Sequence, residues 1–115
     1  MEIKIVPDKI TIDEIRQMAT ESYGEMVKAV ADIEQGIMAV GGEWHADAET
    51  LLLEQGSKQF DLWGFNIYPD RLAGQQIEFV SLINIRPRQN NKKMDIENSE
   101  IREKISQIFN KLVVY

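Results

Sequence analysis

The sequence contains no cysteine and no long hydrophobic run. Without cysteine the chain cannot form a disulfide, a thiolate nucleophile or a cysteine-ligated zinc site. Its apolar runs extend over only a few residues, whereas a membrane-spanning helix needs about 20. The first residues, MEIKIVPDK, also lack the apolar centre of a signal peptide. We therefore expect a soluble, cytoplasmic protein that does not enter a membrane.

The charge and the motifs of the chain argue against nucleic-acid and nucleotide binding, and its length indicates how many domains it forms. The chain of 115 residues has a net charge of −6. Because contacts to phosphate groups dominate the affinity of proteins for nucleic acids, this charge does not favour nucleic-acid binding. The sequence also lacks both glycine-rich phosphate-binding patterns, G-x-x-x-x-G-K-[ST] and G-x-G-x-x-G. By its length, the chain is expected to form a single domain over residues 1–115.

Two amphipathic helices are predicted, one in the N-terminal half and one at the C-terminal end. Thr11 and Glu14 have the spacing of a capping box, and the helix that they begin should end before Gly24. The second helix is expected to begin at Asn98 or Ser99. Its apolar residues repeat at helical spacing: Ile101, Ile105, Ile108, Phe109 and Leu112.

The chain between these helices has mainly the pattern of β-strands. Residues 2–6 alternate and predict a first strand. Residues 26–42 fit either one helix or two strands that turn at Gln35 and Gly36. A glycine inside a helix costs about 1 kcal/mol, which favours the two strands. Beyond them, we predict a hairpin of two strands, Thr50–Glu54 and Phe60–Tyr68, and a further strand, Ile77–Arg86.

These elements together predict an α+β fold. We expect an antiparallel sheet of four to six strands, with the N-terminal-half helix and the C-terminal helix packed on one face. The other face of the sheet is then free to carry polar side chains.

A first candidate site lies ahead of the predicted hairpin. If residues 43–49 are extended, four side chains point to the same side of the strand: Glu43, His45, Asp47 and Glu49. One imidazole with three carboxylates is a donor set for a divalent metal ion. If the segment is helical, only His45 and Glu49 remain neighbours, one turn apart. The spacing is not a specific metal motif, and a solvated polar face is the alternative interpretation.

A second candidate site lies on the later strands. Asparagine is disfavoured inside strands, and a buried amide without a partner costs about 1–3 kcal/mol. We therefore expect Asn66, Asn84 and Arg86 to line a polar pocket on the sheet face away from the helices. Residues 86–93 add a basic stretch without an acid. Its arginines suit contacts to carboxylate or phosphate, so Asn66, Asn84, Arg86 and Arg88 are predicted to bind a small anionic ligand.

The two tryptophans, Trp44 and Trp63, also have two interpretations. They pack in the core, or they form an aromatic patch at a subunit interface, where tryptophan is enriched. An exposed sheet face or edge strand favours the interface, so a homodimer is a candidate assembly.

Three segments, MVKAVADIEQGIMAVGGEWHADAE, LLLEQGSKQFDLWGFNIYP and SLINIRPRQNN, together resemble a family of small uncharacterised prokaryotic proteins, which is catalogued as a domain of unknown function. The resemblance extends from about Gly24 to the last helix. It implies a prokaryotic, single-domain, cytoplasmic protein and brings no activity or catalytic residue with it. The residues that it places in the defining segments are His45, Asp47, Ser57, Gln59, Asp61, Trp63, Asn66, Asn84, Arg86 and Arg88.

Two hypotheses about function follow from these residues. The first is a small binding or interaction module for an anionic ligand or a protein partner. The second is a divalent-metal-dependent hydrolase that uses Glu43, His45, Asp47 and Glu49.

Overall fold

A computed structural model describes residues 2–115. Its strands are β1 (Ile3–Val6), β2 (Ile10–Thr11), β3 (Val27–Asp32), β4 (Ile37–Gly41), β5 (Leu62–Ile67), β6 (Ile77–Glu78) and β7 (Val113–Val114). Its helices are α1 (Ile12–Glu21), α2 (His45–Glu54) and α3 (Ser99–Leu112). Five strands form an antiparallel sheet in the order β1-β4-β3-β5-β6, and β2 pairs with β7 in parallel. No helix within residues 2–115 is both long and apolar enough to cross a membrane.

The predicted α+β fold is confirmed, with α1 and α3 on one face of the sheet. Both predicted helix starts are also confirmed. Thr11 Oγ1 accepts a hydrogen bond from Glu14 N at 3.1 Å, and Asn98 Oδ1 accepts one from Glu100 N at 2.8 Å. The main core fills the space between these helices and the sheet. Its largest buried side chains include Ile15, Met38, Trp63, Phe65, Ile67, Ile105 and Leu112.

The two-strand interpretation of residues 26–42 is confirmed as well. β3 and β4 form a hairpin whose turn contains Gly36 at a φ of 72°, a conformation that glycine adopts without strain. Asp32, which is 1% exposed, accepts hydrogen bonds from Gln35 N at 2.9 Å and from Ser57 Oγ at 2.6 Å. Burial alone would raise the pKa of Asp32, but these hydrogen bonds outweigh it and the pKa lies below its ordinary value. This carboxylate therefore fastens the hairpin to the loop that precedes β5.

The opposite face of the sheet is covered by α2, a helix that we did not predict. Ala48 and Leu52, one turn apart, join a second core with Val30, Ala39 and Leu62. The prediction of an extended segment over residues 43–49 is therefore wrong, and so is the predicted strand Thr50–Glu54.

This prediction failed because the segment is short enough to fit both the helical and the strand periodicity. The buried residues of α2 are His45, Ala48 and Leu52, at the helical spacings of three and four. Over residues 43–49, however, the four polar residues also alternate with Trp44, Ala46 and Ala48, which is the pattern of a strand. At the start of the helix, Asp47 Oδ2 accepts a hydrogen bond from Trp44 N at 3.1 Å, which satisfies a backbone donor that the helix leaves free.

The predicted strand Ile77–Arg86 is wrong beyond Glu78, because the chain turns at Ser81. Ser81 Oγ accepts a hydrogen bond from Ile83 N at 3.2 Å and starts a 3₁₀ turn over Leu82–Asn84. The fully buried Asn84 then bonds to β5 through its side chain. Its Nδ2 donates to Gly64 O at 2.9 Å and its Oδ1 accepts from Gly64 N at 2.8 Å. The side-chain amide thus replaces the backbone of a neighbouring strand.

Candidate ligand-binding cleft

A cleft with a volume of about 300 Å³ opens on the α2 side of the sheet. We call it the α2 cleft. Its apolar wall consists of Val80, Leu82, Ile83 and Met94, and its polar residues are Lys28, His45, Asn66 and Ser81. Ligand sites in proteins are commonly of this kind, mainly apolar with a few polar groups that orient the ligand.

Lys28 provides the positive charge of the α2 cleft. Its Nζ lies 5.2 Å from the ring centroid of Tyr23 and 5.8 Å from that of Trp44. The Tyr23 hydroxyl donates a hydrogen bond to Glu43 O, which holds its ring in place. Within residues 2–115, Lys28 belongs to none of the ion pairs. The lysine ammonium is therefore held by aromatic rings and is not neutralised by a carboxylate.

His45 is the first residue of α2 and only 7% exposed. Its Nε2 lies 2.9 Å from Phe65 O. Because a carbonyl oxygen can only accept, Nε2 carries the hydrogen in this contact. Burial lowers the pKa of His45, and Lys28 lowers it further, whereas the Phe65 carbonyl and Asn66 oppose this shift without overcoming it. The ring is therefore neutral near pH 7, with Nδ1 as an acceptor.

Asn66 lies directly opposite Lys28 in the pairing of β3 with β5. Its Nδ2 donates to Glu78 Oε1 at 2.8 Å and to Val80 O at 3.3 Å. Its Oδ1 is buried and has no hydrogen-bond partner within residues 2–115. The α2 cleft thus joins a cation, a neutral imidazole and an unused amide oxygen.

A profile of the family described as "Protein of unknown function (DUF5674)" matches residues 4–112. The chain belongs to this family. The resemblance predicted from the sequence is therefore confirmed at the level of the family, and the matched residues include the whole α2 cleft. No curated protein and no solved structure matches the chain.

In this DUF5674 protein, the four residues of the predicted metal site do not come together. His45 contacts Phe65 O, Asp47 satisfies the first turn of α2, and Glu49 pairs with Arg86. Within the described residues, no group of three or more histidine, aspartate or glutamate side chains is placed to hold a metal ion. The helix separates these side chains, because only residues three or four positions apart share a face.

The other predicted ligand residues of the DUF5674 protein lie outside the α2 cleft. Asn84 is buried beneath the wall of the cleft, where it bonds to Gly64 and also donates to Met94 O at 3.1 Å. Arg86 and Arg88 line a neighbouring, more open cleft of about 570 Å³. Of the four residues predicted to bind an anionic ligand, only Asn66 lines the α2 cleft.

Arg86 is held in place by several contacts. Its Nε donates to Ile83 O at 2.9 Å, and Nη1 donates to Gln59 O at 2.9 Å. Its Nη2 lies 3.3 Å from Glu49 Oε2, and its guanidinium stacks on the Trp63 ring at 4.7 Å from the centroid. Burial lowers the pKa of Arg86 and raises that of Glu49, and the attraction between them opposes both shifts. The guanidinium therefore ties the turn to α2 and to the sheet.

The sequence analysis missed Lys28, because its role depends on the pairing of β3 with β5. Alternation along β3 places Lys28 on the same face as Val30. Its neighbour across the sheet, Asn66, belongs to a strand more than thirty positions away in the sequence. A correct strand pairing would have placed Lys28 beside the candidate Asn66.

Acidification should weaken the fold through His45. Its pKa in the unfolded chain is near 6.5 and is lower in the fold. Between these two pKa values the unfolded chain binds more protons, so the free energy of unfolding decreases as the pH falls. His45→Gln removes the titration and keeps a side-chain N–H for Phe65 O. Urea unfolding at about pH 7.5 and about pH 5.5 measures the effect. Between these two pH values, the free energy of unfolding of the wild type should fall by up to about 1 kcal/mol more than that of the variant. Equal losses would contradict this role.

Proposed function

We propose that this protein is a small binding module that holds an organic anion in the α2 cleft. The observation that carries this proposal is the charge of Lys28, which no carboxylate of residues 2–115 pairs with, at the side of a mainly apolar cleft. An ammonium group in that position favours an anionic partner over a neutral or cationic one.

The surroundings of Lys28 favour an organic anion over an inorganic one. Trp44 is 58% exposed and Leu82 is 66% exposed, and both side chains border the cleft. A flat or aliphatic body would cover these two side chains, and burial of apolar surface contributes about 25 cal/mol per Å². An inorganic anion would leave this surface in water.

Asn84 and Arg86 have a positioning role in this proposal. Asn84 fixes the turn that supplies Leu82 and Ile83 to the wall, and Arg86 binds the carbonyl of Ile83. They keep the wall at a constant distance from β5, whereas Asn66 contacts the ligand. Arg88 lies in the neighbouring cleft and is left out of the contact set.

Calorimetric titration with benzoate and phenylacetate, and with the neutral benzamide as a control, tests the proposal. We expect the acids to bind and benzamide to bind at least about tenfold more weakly, because hydrogen bonds to charged groups contribute about 1.5–3 kcal/mol. Lys28→Met should weaken the binding of the acids by a similar factor. The matched control is Lys104→Met on α3, which covers the other face of the sheet.

Two results would overturn the proposal. In the first, none of the acids binds to the wild type. In the second, the acids bind, but Lys28→Met and Lys104→Met change the affinity equally. The second result would place the anion elsewhere on the surface.

A further inference from the structure

We infer that the ligand of the α2 cleft presents an O–H or N–H donor to Asn66 and His45, at the end remote from its anionic group. This inference rests on the proposed function and adds the ligand chemistry that is selected by Asn66 and His45, which we call the floor of the cleft. Lys28 recognises one end of such a ligand, and the floor recognises the other.

The orientation of the Asn66 amide is fixed by its neighbours. Nδ2 has two hydrogens, and it donates to Glu78 Oε1 at 2.8 Å and to Val80 O at 3.3 Å. The opposite orientation would place Oδ1 against two acceptors. Oδ1 is therefore the atom left over, and it has no hydrogen-bond partner in the part of the chain that the structure describes, although Asn66 is only 6% exposed. A buried acceptor without a donor is rare in folded proteins.

His45 adds a second acceptor to the same floor. Its Nε2–H is used by Phe65 O at 2.9 Å, which leaves Nδ1 with a lone pair. Nδ1 forms no hydrogen bond with the residues that the structure describes. Asn66 favours the protonated ring, because a charged imidazole has a second N–H to donate. The neutral ring has none, so Asn66 and His45 present two acceptors to the cleft.

A ligand with a donor at its inner end satisfies both acceptors. The Lys28 and Asn66 side chains start about 5 Å apart across the strand pair, so a ligand of one ring or a short chain can span from the ammonium to the amide. An analogue without the donor would leave the buried polar atoms of the site unpaired. Such a site therefore discriminates against that analogue more strongly than a site that selects by shape alone.

Three para-substituted benzoates of similar size test this inference. 4-Hydroxybenzoate and 4-aminobenzoate carry a donor opposite the carboxylate, and 4-methylbenzoate carries a methyl group in its place. Titrations at about pH 8 keep His45 neutral. In the wild type we expect both donor-bearing acids to bind at least about tenfold more tightly than 4-methylbenzoate. This comparison requires no variant.

Asn66→Val assigns the preference to the amide. The variant keeps a strand-forming side chain and removes the acceptor. It should still bind 4-methylbenzoate while losing most of the preference for the hydroxyl and amino groups. Circular dichroism and the binding of 4-methylbenzoate together verify that the variant is folded.

The outcomes separate this inference from the proposed function. Equal binding of all three acids to the wild type would overturn the inference and leave the anion site standing. An unchanged preference in Asn66→Val would also overturn the inference, because the ligand would then not donate to Asn66. Failure of all three acids to bind would overturn both.

Discussion

Asn84→Leu should lower the free energy of unfolding by at least about 3 kcal/mol. The substitution preserves much of the side-chain volume but removes the amide. Gly64 N, Gly64 O and Met94 O, which the amide contacts at 2.8 to 3.1 Å, would then lose their partner. Each buried polar group without a partner costs about 1–3 kcal/mol. Since domains of this size are stable by about 5–15 kcal/mol, the variant should be close to unfolding.

Urea unfolding followed by circular dichroism measures this effect. Asn110→Ala is the matched control, because Asn110 is an exposed asparagine on α3. Leucine in place of Asn84 should also release the turn over Leu82–Asn84, so the α2 cleft should lose its wall. If Asn84→Leu and Asn110→Ala unfold at the same urea concentration, the amide does not hold the turn to β5.

Arg86→Met should destabilise the protein by about 3–5 kcal/mol near pH 7.5, because it removes one partner of a buried ion pair. The side chains of Arg86 and Glu49 are only 10% and 13% exposed. Methionine fills part of the space of arginine but offers no donor to Ile83 O and Gln59 O. The Glu49 carboxylate would remain buried without its cation.

The loss in Arg86→Met should depend on pH in a defined direction. Burial already raises the pKa of Glu49 in the fold, and Arg86 restrains that rise. Without Arg86 the folded pKa moves further above the unfolded value. Between the two values the folded chain binds more protons, so stability falls as the pH rises. The difference between wild type and variant should therefore be larger at about pH 7.5 than at about pH 5.

The double variant Glu49→Leu/Arg86→Met tests the same pair from the other side. Replacing both charges by apolar groups removes the desolvated carboxylate, so the double variant should be more stable than Arg86→Met alone. A double variant that is as unstable as the sum of the two single variants would show that the two side chains act independently. Unfolding midpoints of the four proteins in urea complete the cycle.

The β3–β4 hairpin could be predicted from the sequence because its signals are local. The turn needs a glycine at a positive φ, and Gly36 supplies it. The helices α1 and α3 could be predicted for the same reason, since their caps and apolar stripes lie within a few turns of one another. Local signals of this kind determine most of the framework around the cleft.

The elements that form the cleft depend on contacts between distant segments. α2 has a short pattern that fits two periods, and its burial against Val30 and Leu62 decides between them. Asn84 was predicted to bind a ligand because it is a polar residue in an otherwise apolar stretch. Its actual partner, Gly64, is 20 positions away, and the bond runs from side chain to backbone. No periodicity in a sequence encodes such a contact, so the wall of the cleft could not be located in advance.

The parallel pair of β2 and β7 has a consequence for how the protein is made. Ile10 and Thr11 pair with Val113 and Val114, and Lys9 donates a hydrogen bond to the carbonyl of Lys111, 102 positions away. During translation, α1 leaves the ribosome long before these partners exist. The nascent chain must therefore keep Ile10 and Thr11 unpaired until Val113 and Val114 have emerged, so the β2–β7 pair forms only after all three helices have been made.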